Sequence, residues 1–412
     1  MKRRMVNIGL VFILVLLLVQ TAESQQKGLD WDNPIKVGYI NPFTGPATRD
    51  TARDVPGLQL AIEEINAAGG VLGRPFKLIT RDSKLSPENA LREAKDLILN
   101  EKVFWIQGIT SSAVARAVSD YMKGQRKLLV LDVAKSEKLT TEWGHRYIFR
   151  ATNNAYAEGV AMAKGCRQTF GPLKKIYNLS PDYEGGHSAW RTFFESYKKL
   201  IPDAKVVGEA WAKLGTQDYT SFLTAIMNSG AELMFTCLYQ TDGLTMLKQS
   251  DTLGLNGKIP VAGFWLGAPG VVENYNAKFY PKKMVGGVSS TPFWALDTPE
   301  GKSFVEKIKS KFGVYPGYGT TAYAFFKAVA KAIEKAGALD TEKVIDNLEG
   351  YVMESPLGPI EIRSCDHQAM TPVFMGLIEE LPGWDFYGPK NIIKIGKEAY
   401  PTCEEIAKAR GK

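Results

Sequence analysis

From residue 35 onward the sequence alternates short apolar runs with amphipathic stretches of helical spacing, and this rhythm restricts the fold more than any other feature. Residues 103–108 are typical of the runs. They are apolar, bounded and rich in β-branched and aromatic side chains, as a buried parallel strand requires. Residues 113–122 then place their apolar side chains on one stripe, which predicts a helix. Repeated strand-helix units with short connections predict a parallel sheet covered by helices on both faces.

The same rhythm starts again after residue 153 and runs to about residue 262, so the chain holds two α/β units in succession. Two such units imply a cleft between them, and the ligands of parallel sheets collect at the carboxyl ends of the strands. Beyond residue 288 the pattern is less regular, and these segments are expected to return to the two lobes already built. The predicted fold class is therefore α/β, with two lobes and a ligand cleft between them.

The N-terminus has the three-part layout of a secretory signal peptide. Basic side chains at positions 2–4 precede an apolar stretch over residues 8–19, which is short for a membrane span. Small side chains follow, so residues 1–24 are predicted to be removed by cleavage after Ser24, with Ala22 as the second choice. No cysteine lies near this site, so a lipid anchor is not indicated and the mature protein is expected to be soluble and exported. Retention of the segment as a membrane anchor is the alternative.

Composition and motifs exclude several classes of function. The chain carries 51 Lys and Arg against 44 Asp and Glu, but the two signs are interspersed, so nucleic acid is not expected as a partner. The three histidines lack the spacing of metal ligands, and we expect neither a metal nor a cofactor. The chain also lacks a G-x-S-x-G elbow and a phosphate-binding P-loop.

Four cysteines in an exported protein can form disulfides in three pairings. Pairing of Cys365 with Cys403 is favoured because it would fix the C-terminal tail. Cys166 and Cys237 lie in apolar surroundings on a predicted helix and a predicted strand. For these two, buried free thiols are at least as consistent with the sequence as a bridge.

Ser111 and Ser112 lie where the predicted strand over residues 103–108 gives way to a helix. Hydroxyls and free backbone N–H groups converge at such a turn, and together with the helix dipole they favour an anion. The alternative is that one serine only caps the helix. Other polar and aromatic residues follow strands at the same edge of both predicted sheets and are expected to line one pocket: Ala134, Ser136, Tyr183, Tyr239 and Trp265. Aromatic walls with hydroxyl and N–H donors suit a small organic solute that bears a carboxylate.

Several segments together resemble the type I periplasmic solute-binding proteins, above all the leucine/isoleucine/valine-binding group of the ABC importers. The most specific segment is GLQLAIEEINAAGGVLG at residues 57–73, supported by Asp82, by Gly108 with the two serines, and by residues 182–185. The resemblance covers nearly all of the mature chain. It implies two Rossmann-like lobes joined by three crossovers, hinge closure on a ligand and no catalysis.

The resemblance also implies an organisation and partners. Lobe 1 is expected to comprise residues 34–153 and 289–350, and lobe 2 residues 154–288 and 351–412. The protein is expected to be a periplasmic monomer that binds a small-molecule solute and docks on the permease subunits of an ABC transporter.

By the same resemblance, Ser111 and Ser112 bind the ligand carboxylate, whereas the Ala134 carbonyl and the Ser136 hydroxyl face an amino group. Tyr183 and Tyr239 match the aromatic positions of the family. The place of the acidic residue that holds an ammonium group contains Trp265, and no Asp or Glu occurs between residues 259 and 272.

This departure has an energetic consequence. A buried ammonium without a carboxylate costs several kcal/mol, which would abolish useful affinity. Lys135 and Arg49, in loops predicted to border the cleft, would increase the cost. We therefore expect a ligand with a carboxylate but no free amino group, aromatic and stacked on Trp265 and Tyr183. A branched-chain amino acid is the alternative within the same class.

Two other classes of function stay open at the level of sequence. One is a ligand-sensing subunit that passes its occupancy to a partner protein. The other is an exported serine hydrolase that would use Ser111, Asp132 and His145, and it requires the histidine to lie beside the serine.

Overall fold

The computed structural model describes residues 28–45 and 48–411, so the predicted signal peptide lies outside the described residues. The first half of the chain forms a parallel sheet of five strands in the order β2-β1-β3-β4-β5. Ile40, Gly108 and Leu131 lie in register across three neighbouring strands, so the strands end together along one edge. The strands are β1 (Ile35–Asn41), β2 (Phe76–Asp82), β3 (Trp105–Gly108), β4 (Leu128–Leu131) and β5 (Ile148–Arg150).

The helices that connect these strands begin and end where the sequence supplies caps. Ser86 accepts a hydrogen bond from the Asn89 N–H at the start of the second helix, and a proline follows it. The first helix begins at Thr48, so Arg49 lies in this helix and not, as predicted, in a loop. The helices are α1 (Thr48–Ala67), α2 (Pro87–Leu99) and α3 (Ser112–Gln125).

The second sheet has seven strands in the order β14-β13-β10-β9-β8-β6-β7. Five of them are parallel, and the tail adds an antiparallel hairpin beside β10. The strands are β6 (Lys175–Pro181), β7 (Lys205–Ala212), β8 (Leu233–Thr236), β9 (Val261–Gly263), β10 (Met284–Val288), β13 (Val373–Glu380) and β14 (Tyr387–Ile395); a separate short pair consists of β11 (Val352–Met353) and β12 (Ile360–Glu361). The remaining helices are α4 (Ala155–Phe170), α5 (Glu184–Leu200), α6 (Thr220–Asn228), α7 (Gln240–Thr252), α8 (Pro269–Val272), α9 (Pro299–Phe312), α10 (Gly319–Ala336), α11 (Thr341–Leu348) and α12 (Cys403–Ala409).

Each sheet has its own hydrophobic cores, which makes each lobe a unit. The first sheet packs on α10 through an aromatic cluster in which Phe326 contacts Phe76 and Trp105 at 5.1 Å between ring centroids. The second sheet packs on α4 and α5, and Phe193 stacks on Phe235 at 4.5 Å. Burial of one such side chain contributes about 1.5–3 kcal/mol, so the two cores stabilise two bodies with a cleft between them.

The chain passes between these bodies three times. It leaves the first sheet after β5, returns to the first core after β10, and crosses again before β13. Arg150 and Gln368 pair side by side where the first and third crossings meet, with an Nη1 to Oε1 distance of 3.2 Å. The structure therefore has the predicted α/β fold with two lobes and three crossovers.

The C-terminal third supplies elements to both lobes. Met353 and Ile360 of the β11–β12 hairpin are buried in the first core, whereas the sequence assigns residues 351–412 to lobe 2. The exact division between the lobes stays a prediction. Cys365 and Cys403 form a disulfide, as predicted, and Cys166 and Cys237 are buried free thiols.

Candidate ligand-binding site

A cavity of about 310 Å³ lies between the carboxyl ends of the two sheets. This volume is at the lower end of the range for small-molecule sites, which suits a compact ligand. Lobe 1 supplies Leu85, Thr110, Ser111, Ser112, Ala113, Val133, Lys135 and Tyr318, and lobe 2 supplies Tyr183, Gly185, Leu214, Gly215, Tyr239, Gln240, Thr241, Asp242 and Trp265.

The order of the strands gives the cavity two distinct ends. Leu85 and Leu214 follow the edge strands β2 and β7, and Leu214 is 58% exposed, so they mark an outer end. Lys135 and Trp265 follow β4 and β9, farther into each sheet, and are buried. They mark the inner end. Ser111 follows the central strand β3 and lies between the two ends.

Ser111 occupies the N-cap position of α3 but, within the described structure, its side chain makes no capping hydrogen bond. The capping alternative is therefore wrong for this hydroxyl. Ser112 also lines the cavity, and its Oγ accepts the Ser136 N–H at 3.1 Å. The preceding turn is sharp because Gly108 has a φ of 120°, and a Cβ there would lie 2.6 Å from the Ile40 carbonyl oxygen. The turn thus presents a hydroxyl and a helix N-terminus to the cavity.

Ala134 and Ser136 are not among the residues that line the cavity, and the contact of the Ala134 carbonyl and the Ser136 hydroxyl with a ligand stays a prediction. Both are fully buried. The Ala134 N–H donates to the Ile109 carbonyl, and the Ser136 hydroxyl donates to Glu184 Oε1 at 3.3 Å. They lie in the loop after β4, where Lys135 between them is the residue that faces the cavity.

Tyr183, Tyr239 and Trp265 line the cavity from lobe 2, where the sequence places them. Trp265 is 3% exposed and meets Tyr239 edge to face, with ring centroids 5.6 Å apart. The Tyr183 ring lies against the start of α5, where a Cβ on Gly185 would be 2.7 Å from the ring. Glycine at that position therefore lets the ring lie flat against the helix.

Glu158 is a functional candidate that sequence reasoning missed. Its Oε2 accepts the Trp265 Nε1–H at 3.0 Å, and its Oε1 lies 3.0 Å from the Lys135 Nζ. Burial lowers the pKa of Lys135 to about 8, against the opposing effect of Glu158. Burial raises the pKa of Glu158, and Lys135 opposes that shift. The available signal was a single acid among the small apolar residues at the start of α4.

Asp242 is the second missed residue, in the first turn of α7. Its Oδ2 accepts the Gly215 N–H at 2.9 Å, which places the carboxylate at the outer end with Leu214. Burial raises the pKa of Asp242, and the Gly215 hydrogen bond opposes this shift. Asp242 thus lines the cavity, with one carboxylate oxygen held by the Gly215 N–H.

Polar contacts hold the lobes together around the cavity. Arg53 on α1 pairs with Glu273, the residue after α8, through two hydrogen bonds of 2.9 and 2.6 Å. At a second place Glu137 contacts Arg191 and Ser188 of α5. The lobes are therefore in contact across the cleft in this structure.

The residues proposed for a hydrolase are not arranged as a catalytic triad. No hydrogen bond joins any two of Ser111, Asp132 and His145, all of which are described. His145 Nε2 pairs with Ser119 Oγ at 2.8 Å, and its Nδ1 accepts the Tyr147 N–H. Asp132 Oδ1 accepts a hydrogen bond from Gln107.

A larger cavity of about 450 Å³ lies on the outer face of lobe 1, between α9 and α10. Two of its lysines, Lys307 and Lys327, pair with Glu64. Because none of its lining residues lies at the carboxyl ends of the parallel strands, it is not the candidate site. Within residues 28–45 and 48–411, no helix is long and apolar enough to cross a membrane, and no cluster of three or more metal-binding side chains occurs.

The two lobes, the three crossovers and a cavity walled by both lobes are the architecture of a solute-binding protein. The family model described as periplasmic binding protein matches residues 34–380, and the chain belongs to this family.

Known proteins of similar sequence and structure agree with this assignment. The leucine-, isoleucine-, valine-, threonine- and alanine-binding protein of Pseudomonas aeruginosa is 24% identical over 79% of this chain and 84% of its own length. A solute-binding protein of an ABC transporter from Rhodopseudomonas palustris BisB5, solved with 3,4-dihydroxybenzoic acid, has a TM-score of 0.77 at 24% identity and covers 88% of this chain and 98% of its own. Another from Rhodopseudomonas palustris HaA2, solved with p-hydroxybenzoic acid, has a TM-score of 0.77 at 23% identity and covers 91% of this chain and all of its own. The chain is thus a member of the periplasmic binding protein family and shares the fold of these solute-binding proteins.

Proposed function

We propose that this protein binds a small aromatic carboxylate with a ring hydroxyl between its lobes and delivers it to the permease of an ABC importer. The observation that carries the proposal is the charge arrangement of the cavity. Its central turn offers donors to an anion, while the acid at its inner end, Glu158, is already paired with Lys135 and Trp265.

The carboxylate of the ligand is proposed to lie at the N-terminus of α3. Ser111 and Ser112 line the cavity there, and the N–H groups of the first helical turn are the donors that we assign to the carboxylate. Hydrogen bonds to a charged acceptor are the strong ones, and the helix dipole adds to them.

The ring of the ligand is proposed to lie among Tyr183, Tyr239 and Trp265. The edge-to-face contact of Tyr239 with Trp265 leaves ring surface for a further aromatic group, and such contacts add about 0.5–1.5 kcal/mol beyond burial. At the outer end Asp242 is proposed to accept the hydrogen bond of a ring hydroxyl. Two structures similar to this one were solved with hydroxylated benzoic acids, which supports this choice.

The predicted signal peptide over residues 1–24 supports capture of the solute in the periplasm. We propose that lobe 1 comprises residues 34–153 and 289–350, and lobe 2 residues 154–288 and 351–412, with the β11–β12 pair packed on the core of lobe 1 and with closure at the three crossovers. A ligand that contacts both lobes favours the closed form, which the permease would recognise.

A branched-chain amino acid is the second candidate. The name of the Pseudomonas aeruginosa relative favours it, and Asp242 supplies a carboxylate in the cavity wall. However, Asp242 lies at the outer end, whereas the ammonium of an amino acid is one carbon from its carboxylate and thus close to the Ser111 turn.

A thermal-unfolding screen of residues 25–412 tests the proposal. The panel contains benzoate, 4-hydroxybenzoate, 3,4-dihydroxybenzoate and the natural amino acids at equal concentration. The proposal predicts a rise in melting temperature with the benzoates, because a ligand that binds only the folded state stabilises it. A rise with leucine, isoleucine or valine and none with a benzoate would refute it.

A further inference from the structure

We propose that Lys135 determines which ligands the cavity rejects, because its ammonium fills a cation site at the inner end that would otherwise accept the ammonium of a ligand. The inference rests on the proposed function, in that the cavity takes carboxylates. Beyond the proposed function, the inference states that Lys135 excludes amino acids. It also states that the site occupied by the Lys135 ammonium would bind the ammonium of an amino acid if the lysine charge were removed.

The surroundings of the Lys135 Nζ form a cradle for a cation. Glu158 Oε1 lies at 3.0 Å, the Ser289 carbonyl at 3.1 Å, and the Thr152 hydroxyl and Asn153 carbonyl at 3.3 Å. The Asn153 side-chain oxygen also contacts the Nζ. An ammonium has only three donors, so five oxygens exceed what one lysine can use.

An aromatic face completes the cradle. The Nζ of Lys135 lies 4.8 Å from the centre of the Tyr318 ring, a distance at which an ammonium is attracted to the ring quadrupole. Carboxylate, carbonyl oxygens and an aromatic face together are the groups that recognise a primary ammonium. In this protein these groups surround the ammonium of Lys135, which is part of the chain itself.

The cradle is fixed by contacts that do not involve Lys135. The Trp265 Nε1–H holds the other oxygen of Glu158 at 3.0 Å, and Asn154 caps the first turn of α4 by accepting the Ala157 N–H at 2.9 Å. The Ser289 and Tyr318 hydroxyls are hydrogen-bonded to each other at 2.5 Å. Loss of the lysine ammonium would therefore leave these acceptors in place.

The cradle lies next to the cavity. Lys135, Trp265 and Tyr318 all line the cavity. The loop after β4 that carries Lys135 neighbours the loop after β3 that carries Ser111, since β3 and β4 pair in register. An ammonium one carbon from a carboxylate at Ser111 would thus meet the Lys135 ammonium first, and two like charges in a buried site repel strongly.

The test uses pairs of ligands that differ only in the amino group: phenylalanine with 3-phenylpropanoate, and leucine with 4-methylpentanoate. Calorimetry gives the affinity of the wild type and of Lys135→Met, which keeps the length of the side chain and removes its charge. The wild type is expected to bind the acid of at least one pair at least 100-fold more tightly than its amino acid. In Lys135→Met this preference should fall at least tenfold, because Glu158 then lacks a cation.

Lys135→Met with Glu158→Gln is the matched control. It removes both charges, so it should reject amino acids as the wild type does. A preference in Lys135→Met equal to that of the wild type would overturn the inference. So would acceptance of amino acids by the double variant.

If Lys135→Met does not fold, the same affinity measurements are made on Glu158→Gln instead. This variant removes the carboxylate of the cradle, so the amino acids should still be rejected, while the carboxylates, which do not use the cradle, should still bind. Acceptance of amino acids by Glu158→Gln would overturn the inference. A different result would refute the proposed function itself: binding of leucine, and of none of the carboxylates, by the wild type.

Discussion

The ion pair between Arg53 and Glu273 gives a quantitative test of lobe closure. Arg53 lies on α1 in lobe 1 and Glu273 follows α8 in lobe 2, and their Nη2 to Oε2 distance is 2.6 Å. The two side chains are 16% and 29% exposed, and Arg53 also donates to the Tyr315 carbonyl at 3.2 Å. This paired, half-buried geometry is stronger than that of an ordinary surface ion pair.

Glu273→Gln removes the charge and one of the two good hydrogen bonds. Exposed ion pairs contribute up to about 1 kcal/mol, whereas hydrogen bonds to charged groups contribute about 1.5–3 kcal/mol. We therefore expect a loss of about 1–2 kcal/mol, which is a factor of about 5–30 in the closing equilibrium. Because the pair joins the two lobes, the loss should appear in ligand affinity, mainly as faster dissociation.

Asp96→Asn is the matched control within one lobe. Asp96 on α2 pairs with Arg81 of β2, with an Nη2 to Oδ2 distance of 2.8 Å. This pair is unaffected by closure, so its loss should lower the melting temperature of the unliganded protein and leave the affinity unchanged.

The assays are calorimetry and stopped-flow fluorescence with 4-hydroxybenzoate, together with thermal unfolding without ligand. Wild-type affinity in Glu273→Gln would refute the reasoning, since the pair would then not distinguish closed from open lobes. An equal loss of affinity in Asp96→Asn would also refute it.

Three further predictions concern single residues. Gly185→Ala should weaken binding of 4-hydroxybenzoate by about tenfold in calorimetry, because the added Cβ displaces the Tyr183 ring, and it should lower the melting temperature without ligand, since overpacking costs about 1–3 kcal/mol; unchanged affinity would show that the ring does not contact the ligand. Asp242→Ala should reduce the preference for 4-hydroxybenzoate over benzoate by about tenfold, and an unaltered ratio would exclude Asp242 as the acceptor. Burial, assisted by Lys123, lowers the pKa of His145 from its ordinary 6.5 to about 4, so the folded state binds fewer protons in this window and stability falls as the pH drops from 6.5 toward 4. Urea unfolding of His145→Gln should show a smaller loss over the same range, and parallel losses would contradict the assignment.

The parallel sheets could be predicted because each strand and each connecting helix carries its own periodicity. The C-terminal third could not be predicted in the same way. The hairpin of β13 and β14 joins the second sheet, whereas β11 and β12 pair with each other and pack in the first core. Their short apolar runs are similar, and which sheet each joins depends on contacts between residues far apart in the sequence.

The part of the site at strand ends could be predicted for the same reason. Ser111, Tyr183, Tyr239 and Trp265 follow parallel strands and line the cavity. Glu158 could not be found by this rule because it lies within a helix and reaches the site through Trp265.

The loop after β4 could not be resolved from the sequence at the level of single residues. Its side chains alternate between the cavity and the interior, so Lys135 lines the cavity while Ala134 and Ser136 on either side are buried. An error of one position in assigning such a loop from the sequence therefore exchanges the side chains that line the cavity for those that are buried.

The central claim is that an aromatic carboxylate lies between the lobes, and a crystal structure of the protein grown with 4-hydroxybenzoate tests it most directly. We predict ligand density in the 310 Å³ cavity, with the carboxylate at Ser111 and Ser112, the ring beside Tyr183 and Trp265, and the hydroxyl at Asp242. An empty cavity with the lobes apart, or a ligand whose carboxylate points to Asp242, would contradict the account.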